Sequence, residues 1–244
     1  MAGILVFAYG LICYLIFFAT FLYAVGFVGN MVVPKSVDGP PAESLSQALF
    51  INIVLLGIFG LQHSIMARPG FKRAWQRIIP EPIERSTFVL FSSLALILLF
   101  WQWRPIDGFA WNIENEALRI VFWAVFFIGW GMVLLSTFLI NHFDLFGLRQ
   151  VYLYLKGSEY QPIGFRTPML YKLVRHPIML GFIIAFWATP TMSGGHLLFA
   201  VVTTAYILVA IQFEERDIMK VHGPDYEKYR KQVSMILPMP KQGK

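Results

Sequence analysis

Between Ile4 and Ile140 the chain repeats one pattern: an apolar run long enough to cross a bilayer, then a polar or Pro/Gly-bearing connection. In hydrocarbon the backbone must satisfy its own hydrogen bonds, so single runs of this length are expected to be α-helices. Residues 4–29 form the first. They lack the basic leader and small-residue cleavage site of a signal peptide, and a retained span is expected. Residues 30–44, with Pro34, Gly39, Pro40 and Pro41, make an irregular connection. Residues 45–66 form the second span and end in the polar cluster Gln62-His63-Ser64. The third runs from Ser86 to Trp103, entered by Glu84-Arg85 and closed by Trp101, Trp103 and Pro105, where an interfacial aromatic belt belongs. The fourth covers 118–140, and Gly129 and Gly131 in it are expected to allow close helix contact. Between the second and third spans, Phe71, Trp75, Ile78 and Ile79 fall at i, i+4, i+7 and i+8, opposite Lys72, Arg73, Gln76 and Arg77. That spacing predicts a helix over 71–79 lying on the headgroups.

Past residue 140 the pattern changes. A long non-spanning segment, 141–177, precedes an apolar run of only eleven residues, Ile178–Ala188. As a helix that run reaches about 16 Å against roughly 30 Å of hydrocarbon, so a tilted or partly buried hairpin is expected. Gly194-Gly195 turns the chain and Leu197–Phe213 runs back. In the tail, Tyr226, Tyr229 and Val233 share one face of a helix expected over 225–233. The expected fold is an all-α polytopic transmembrane bundle of about 5–6 spans with a cytoplasmic C-terminal cofactor-binding region. Residues 1–140 would form a four-span N-terminal bundle and 141–244 a catalytic region. Only 14% of residues are charged, where a soluble domain carries about a quarter. The single cysteine, Cys13, lies inside the first run, so no intrachain disulfide is possible and it reads as a small buried apolar residue.

The net charge of +6 has to be read by position. All Lys and Arg except Lys35, Arg104 and Arg119 fall in segments 67–85 and 141–177 or in the tail, the last including Lys241 and Lys244. With six crossings these segments share one side, which the positive-inside rule makes cytoplasmic together with both termini. Basic charge here means topology and contact with the lipid bilayer, not nucleic acid. A bacterial inner membrane is the expected location, and no obligate protein partner is evident.

This sidedness gathers polar groups. His63, His142, His176 and His222 fall at or beyond cytoplasmic span ends, as do Asn141, Asp144, Glu214 and Glu215. His196 belongs to the outer turn, where a solvent or interfacial role is expected. A layer of such side chains is a candidate pocket open to the cytoplasm. The plainer readings stand beside it. Interfacial histidines commonly bond nearby backbone, Glu214 or Glu215 can pair with Arg216 or Arg175, and Tyr226 and Tyr229 can simply pack the tail. No HxxxH, HExxH or CxxC spacing occurs, so no metal is expected. Arg175 and His176 can hold a carboxylate, paired Glu can accept from ribose hydroxyls or an ammonium, and aromatic rings can cover a base or a cation. S-Adenosylmethionine presents all of these groups. A nicotinamide dinucleotide would want more basic residues and a GxGxxG loop, which is absent.

The ordered set Val174-Arg175-His176-Pro177-Ile178-Met179-Leu180-Gly181, Glu214-Glu215-Arg216-Asp217, His222-Gly223-Pro224-Asp225-Tyr226 and Tyr229 resembles the C-terminal signature of the isoprenylcysteine carboxyl methyltransferase-like superfamily of integral membrane methyltransferases. Two longer words resemble one branch of it, the methanethiol S-methyltransferases with their NnrU-like relatives. They run from Gln62-His63-Ser64 through Arg68-Pro69-Gly70 to Arg73, and from Asn141-His142-Phe143-Asp144 through Arg149-Gln150. The resemblance spans nearly the whole chain. Met179 stands where prenylcysteine enzymes often carry an aromatic residue, which points away from a prenyl substrate.

The resemblance implies in-line transfer of the sulfonium methyl of S-adenosylmethionine to a small thiol, methanethiol to dimethyl sulfide. It also implies that Arg175, His176, Pro177, Gly181, Glu214, Glu215, Tyr226 and Tyr229 bind the cofactor. A small alkanethiol ionises above the ~8.5 of a cysteine thiol, so a base is required. Placement nominates His142 with Asp144 orienting it, which needs a non-helical turn because they are two residues apart; His63 and Tyr171 are the alternatives. Other readings are a prenylcysteine or other lipophilic acceptor, an NADPH-dependent membrane sterol-type reductase, which Glu214-Glu215 disfavours, and a non-enzymatic transport or scaffold protein. The segment 157–168 is expected to be a mobile lid.

Overall fold

The computed structural model describes residues 1–238, so Lys241 and Lys244 lie outside the described residues. In chain order the elements are α1 (Ala2–Gly29), α2 (Leu45–Ala67), α3 (Pro69–Trp75), α4 (Glu81–Gln102), β1 (Phe109–Asn112), α5 (Glu116–Ile140), α6 (His142–Leu145), α7 (Leu148–Leu155), a 3-10 turn (Met169–Lys172), α8 (Pro177–Trp187), β2 (Thr191–Ser193) and α9 (Gly194–Gln232). Five of these helices, α1, α2, α4, α5 and α9, are long and apolar enough to cross a membrane. The chain is an all-α integral membrane protein whose only described sheet pairs the short strands β1 and β2. The short apolar helix expected after Pro177 is α8, eleven residues long.

By backbone packing the chain forms two compact units. The first comprises 1–108, 142–162 and 193–196. Its helices start and stop where local chemistry dictates. Ser44 and Gln47 close a reciprocal capping box at the start of α2. Pro69 opens α3 directly after it. Aromatic side chains join α1 to α4, with Phe27 at 4.8 Å from Phe100 and 6.0 Å from Trp103, ring centre to centre. The headgroup helix is shorter than the spacing predicts. It ends at Trp75 and residues 76–78 are turns. Phe71 and Trp75 pack on the cluster of Met66, Phe88 and Val89, while Ile78 is left exposed. Packing on α2 and α4 rather than the full i, i+4, i+7 stripe sets its length.

His196 corrects the expectation of a solvent-facing outer turn, because it is fully buried. The Gly194 and Gly195 amides donate to the carbonyls of Gly108 (2.9 Å) and Ile106 (3.3 Å), which covers the turn. Ser193 Oγ accepts from the His196 amide at 3.0 Å and so caps α9.

The second unit comprises, among the described residues, 109–141, 163–192 and 197–238. Its centre is the crossing of α5 and α8 through Gly129 and Gly181. A Cβ on Gly181 would lie 2.8 Å from the Gly129 carbonyl oxygen, and one on Gly129 would lie 2.7 Å from the Ala185 amide nitrogen. Only glycine allows backbones this close. Gly131, expected to share that role, has nothing within 4 Å of its Cβ position. α8 is tied to α9 by Trp187 Nε1, which donates to Thr204 Oγ1 at 2.9 Å.

At about 1.5 Å per residue α9 is roughly twice as long as the hydrocarbon is thick. Its continuous apolar stretch ends at Phe213, and the remainder is largely polar. The helix breaks at Gly223 (φ 30°, ψ −108°), a backbone state open to glycine and followed by Pro224. The tail helix expected over 225–233 is the piece after this break. The chain then returns as a strap: the Arg175 and His176 amides donate to Ser234 O (2.8 Å) and Met235 O (3.2 Å).

Candidate functional site

In the second unit a single carboxylate organises the polar centre. Glu214 and Glu215 stand just past Phe213, where the continuous apolar stretch of α9 ends. Pro177 occupies the first turn of α8, where its missing N–H costs nothing, and sets the direction in which Arg175 and His176 arrive. Arg175 Nε donates to Glu215 Oε1 at 2.7 Å, and His176 Nε2 lies 3.0 Å from the same oxygen. Arg175 Nη1 also donates to the carbonyls of Arg230 (3.2 Å) and Val233 (2.6 Å), at the end of the tail helix. A guanidinium there satisfies carbonyls left open by the helix terminus and suits its dipole. Arg175, His176 and Glu215 are each at most 8% exposed.

Burial by itself would raise the Glu215 carboxyl. The hydrogen bonds from His176 and Arg175, with the Arg175 charge, outweigh it and hold the group down at about 2. Glu214 is placed differently. Its side chain is 44% exposed, with Oε2 at 3.7 Å from His176 Nδ1. The imidazole therefore stands between two carboxylates, one buried and one open.

The tail adds aromatic rings. Tyr226 and Tyr229 lie 5.8 Å apart, and Phe165 approaches both, at 5.8 and 5.5 Å, and His222 at 5.4 Å. Tyr229 Oη donates to the Tyr171 carbonyl at 2.5 Å. Tyr226 Oη is buried beside the Glu215 carboxylate, and burial and then the Glu215 charge push the hydroxyl above the ordinary tyrosine value. The Tyr171 hydroxyl is pushed well above the ordinary tyrosine value, first by burial and then by Glu214 and Tyr229. Gly181 belongs to the α5–α8 crossing described above.

In the first unit His142 is 2% exposed, and its Nε2 lies 2.9 Å from Tyr14 Oη of α1. The ring packs edge-on to Tyr14 and Phe143 and tilts over Phe146 at 4.8 Å. Burial lowers its pKa, so the imidazole is neutral near pH 7. Asp144 has acquired other partners: Arg149 Nη1 at 2.9 Å on one oxygen and Tyr160 Oη at 3.3 Å on the other. The turn between them is the helical α6, and two positions on a helix lie about 200° apart around its axis. The non-helical turn needed for Asp144 to orient His142 is therefore not formed; Tyr14 occupies that place. His63 Nδ1 meets Ser92 Oγ at 3.2 Å, with Phe59 and Phe88 against its ring. Among the described residues no three His, Cys, Asp or Glu side chains gather as metal ligands.

The chain is 57% identical to the methanethiol S-methyltransferase of Mycobacterium tuberculosis over 95% of both chains. It is 58% identical to that of Crocosphaera subtropica, over 94% of this chain and 90% of the relative. The chain belongs to the methanethiol S-methyltransferase family. A distant likeness, 26% over 88% of this chain and 83% of the relative, links it to Nurim of Xenopus laevis. No protein-family model and no solved structure matches it.

This methanethiol S-methyltransferase-family chain holds two polar centres of different chemistry. The one around Glu215 is charged, with both bonds on Oε1 and Oε2 outside them. The one around His142 is a neutral imidazole in an aromatic surround. Phe165, the strap at Ser234 and Met235, and Tyr14 were not legible as site residues. A phenol inside an apolar run is a weak signal that its hydroxyl has a buried partner.

Proposed function

We propose that the protein transfers a methyl group from S-adenosylmethionine to methanethiol, releasing dimethyl sulfide, S-adenosylhomocysteine and a proton, at the cytoplasmic face of a bacterial inner membrane. The observation that carries this reading is likeness over almost the whole chain to relatives named for methanethiol S-methylation. The sidedness of the basic segments supports cytoplasmic termini.

The donor's fit rests on what the second unit leaves open. The half-exposed Glu214 carboxylate is an acceptor for an amine or for ribose hydroxyls. The exposed ring of Phe165, with Tyr226 and Tyr229 packed behind it, offers a π face to a base or a cation. Arg175 has two of its three nitrogens committed inside the protein, so its role is to hold Glu215 ionised and in place rather than to grip a ligand carboxylate directly. S-Adenosylmethionine, when bound, supplies a methyl group on a cationic sulfonium that a sulfur nucleophile can displace.

Proton removal from the thiol is assigned to His142. Its neutral ring accepts a proton, and Tyr14 fixes the orientation of Nε2. Tyr171 is the weaker alternative, since a phenol held above its ordinary value donates rather than accepts. His63 remains a candidate whose ring nitrogen already meets Ser92. The test is headspace gas chromatography over purified protein given both substrates. Dimethyl sulfide that requires both supports the proposal, and turnover of a prenylcysteine in its place would reassign the acceptor.

A further inference from the structure

The first unit carries a second polar site at the end where α1 and α4 finish and α2 begins, opposite the basic segment 67–85. A cavity of about 310 Å³ there is walled by Lys35, Asp38, Glu43 and Arg104 with Trp103 and Pro105. A second cavity of about 230 Å³ adjoins it, sharing Glu43 and Pro105 and otherwise lined chiefly by apolar side chains, Leu45, Ala48 and Ile106 among them.

Its polar groups are incompletely used. Arg104 Nε lies 2.9 Å from one Glu43 oxygen. The other, Oε2, is buried with no hydrogen-bond partner among the described residues. A buried carboxylate oxygen without a donor is costly, so an N–H or O–H group is what the site lacks. Lys35 Nζ gives one hydrogen to the Trp101 carbonyl at 2.6 Å and has two more to give. Burial and then the Arg104 charge push the Lys35 amine below its ordinary value, with Glu43 opposing, so an anion here would relieve it. Asp38 does not compete, because its carboxylate already takes Asn30 Nδ2 at 2.6 Å and Ser193 Oγ.

Holding the loop does not need these side chains. Asn52, fully buried in α2, clamps the Arg104 backbone from both sides, donating to its carbonyl (2.7 Å) and accepting from its amide (2.9 Å). Trp103 Nε1 ties the opposite strand of the loop through Val37 O at 3.0 Å.

We propose that this end of the first unit binds one phospholipid whose headgroup carries a primary amine, with its phosphate on Lys35 and Arg104, its ammonium on Glu43 and its glycerol end in the apolar cavity. Three observations favour a lipid over a soluble zwitterion. The site lies where the spans end, at headgroup level; Trp101 beside it is exposed as interfacial tryptophans are; and the adjoining cavity has an apolar wall of Pro41, Leu45, Ala48, Pro105 and Ile106, with Glu43 and Asp107 as its acidic members. The larger cavity sits at the low end of the roughly 300–1,000 Å³ of small-molecule pockets, which suits a headgroup and not a whole lipid.

The test is native mass spectrometry of the full chain in detergent, titrated with phosphatidylethanolamine, phosphatidylcholine, phosphatidylglycerol or free O-phosphoethanolamine. Phosphatidylethanolamine should be retained about tenfold better than the other two lipids, one charge-assisted hydrogen bond's worth. Glu43→Gln should abolish that preference, and Lys35→Gln should weaken all three lipids alike. Equal retention of the three lipids by the wild-type chain overturns the proposal, as does an undiminished preference in Glu43→Gln. Free phosphoethanolamine binding as tightly as the lipid overturns the lipid assignment. The wild-type ranking decides by itself should either variant fail to fold.

Discussion

Arg175 and Glu215 are separated by forty residues of chain and by 2.7 Å of space, Nε to Oε1, in a buried setting that His176 completes from the other side. The arrangement keeps Glu215 ionised down to about pH 2 and makes Arg175 a structural cation that also ends the tail helix. The RHP word and the paired glutamates are therefore one interacting group before any ligand arrives.

Removing either charge should cost far more than a surface pair would. Glu215→Gln leaves Arg175 buried and uncompensated, and Arg175→Gln leaves the Glu215 carboxylate buried without its cation and removes the fork that also reaches Arg230 and Val233. Each is expected to destabilise by about 3–5 kcal/mol. Thermal unfolding in detergent measures it, and unchanged melting in both variants would contradict the structural role of the pair.

Glu214→Gln should separate binding from stability. Its carboxylate is half exposed and makes no buried pair. Melting should stay at the wild-type value while affinity for S-adenosylmethionine falls about tenfold, the loss of one charge-assisted bond. Calorimetric titration reads the second quantity, and full affinity in the variant would remove Glu214 from the donor site.

Acid stability has a defined window. Glu215 is held at about 2 in the folded protein against an ordinary 4.5. A carboxyl depressed by folding contributes stability that is complete above its unfolded value and lost as pH falls through the folded one. Unfolding temperature should therefore decline from near pH 4.5 towards pH 2, and Glu215→Gln should flatten that limb. A decline of the same size in the variant would place the acid sensitivity elsewhere.

For the thiol side, burial puts His142 below the ordinary 6.5, so turnover should hold steady to a pH below that before it falls. His142→Ala should lose about 10²–10⁴ in turnover, the range of general-base contributions. Tyr14→Phe keeps the ring but frees Nε2, and should move the acid limb of the profile with the fold intact. A pH profile identical to wild type in both variants would pass the role to another base.

Much of the fold was legible because hydrocarbon is a strict solvent. Runs of lipid length became α1, α2, α4 and α5, and the eleven-residue run became the short α8. Gly129 was readable as a close-contact residue, but Gly131, two residues away, faces open space, since composition does not say which side of a helix meets its neighbour. His196 looked solvent-exposed because local sequence cannot show that Ile106–Gly108 returns to cover it. In the candidate site, the residue types at Arg175, His176 and Glu215 were evident and their mutual engagement was one of two open readings. Tyr14 is 128 residues from His142, and nothing in an apolar helix announces such a partner.

Methyl transfer from S-adenosylmethionine to methanethiol is measured most directly by following the methyl group itself. Purified protein is given methanethiol and donor carrying a deuterated methyl, and the headspace is read by mass spectrometry. Dimethyl sulfide with one deuterated methyl is expected, formed in step with S-adenosylhomocysteine. Absence of labelled dimethyl sulfide from folded, donor-binding protein would contradict it.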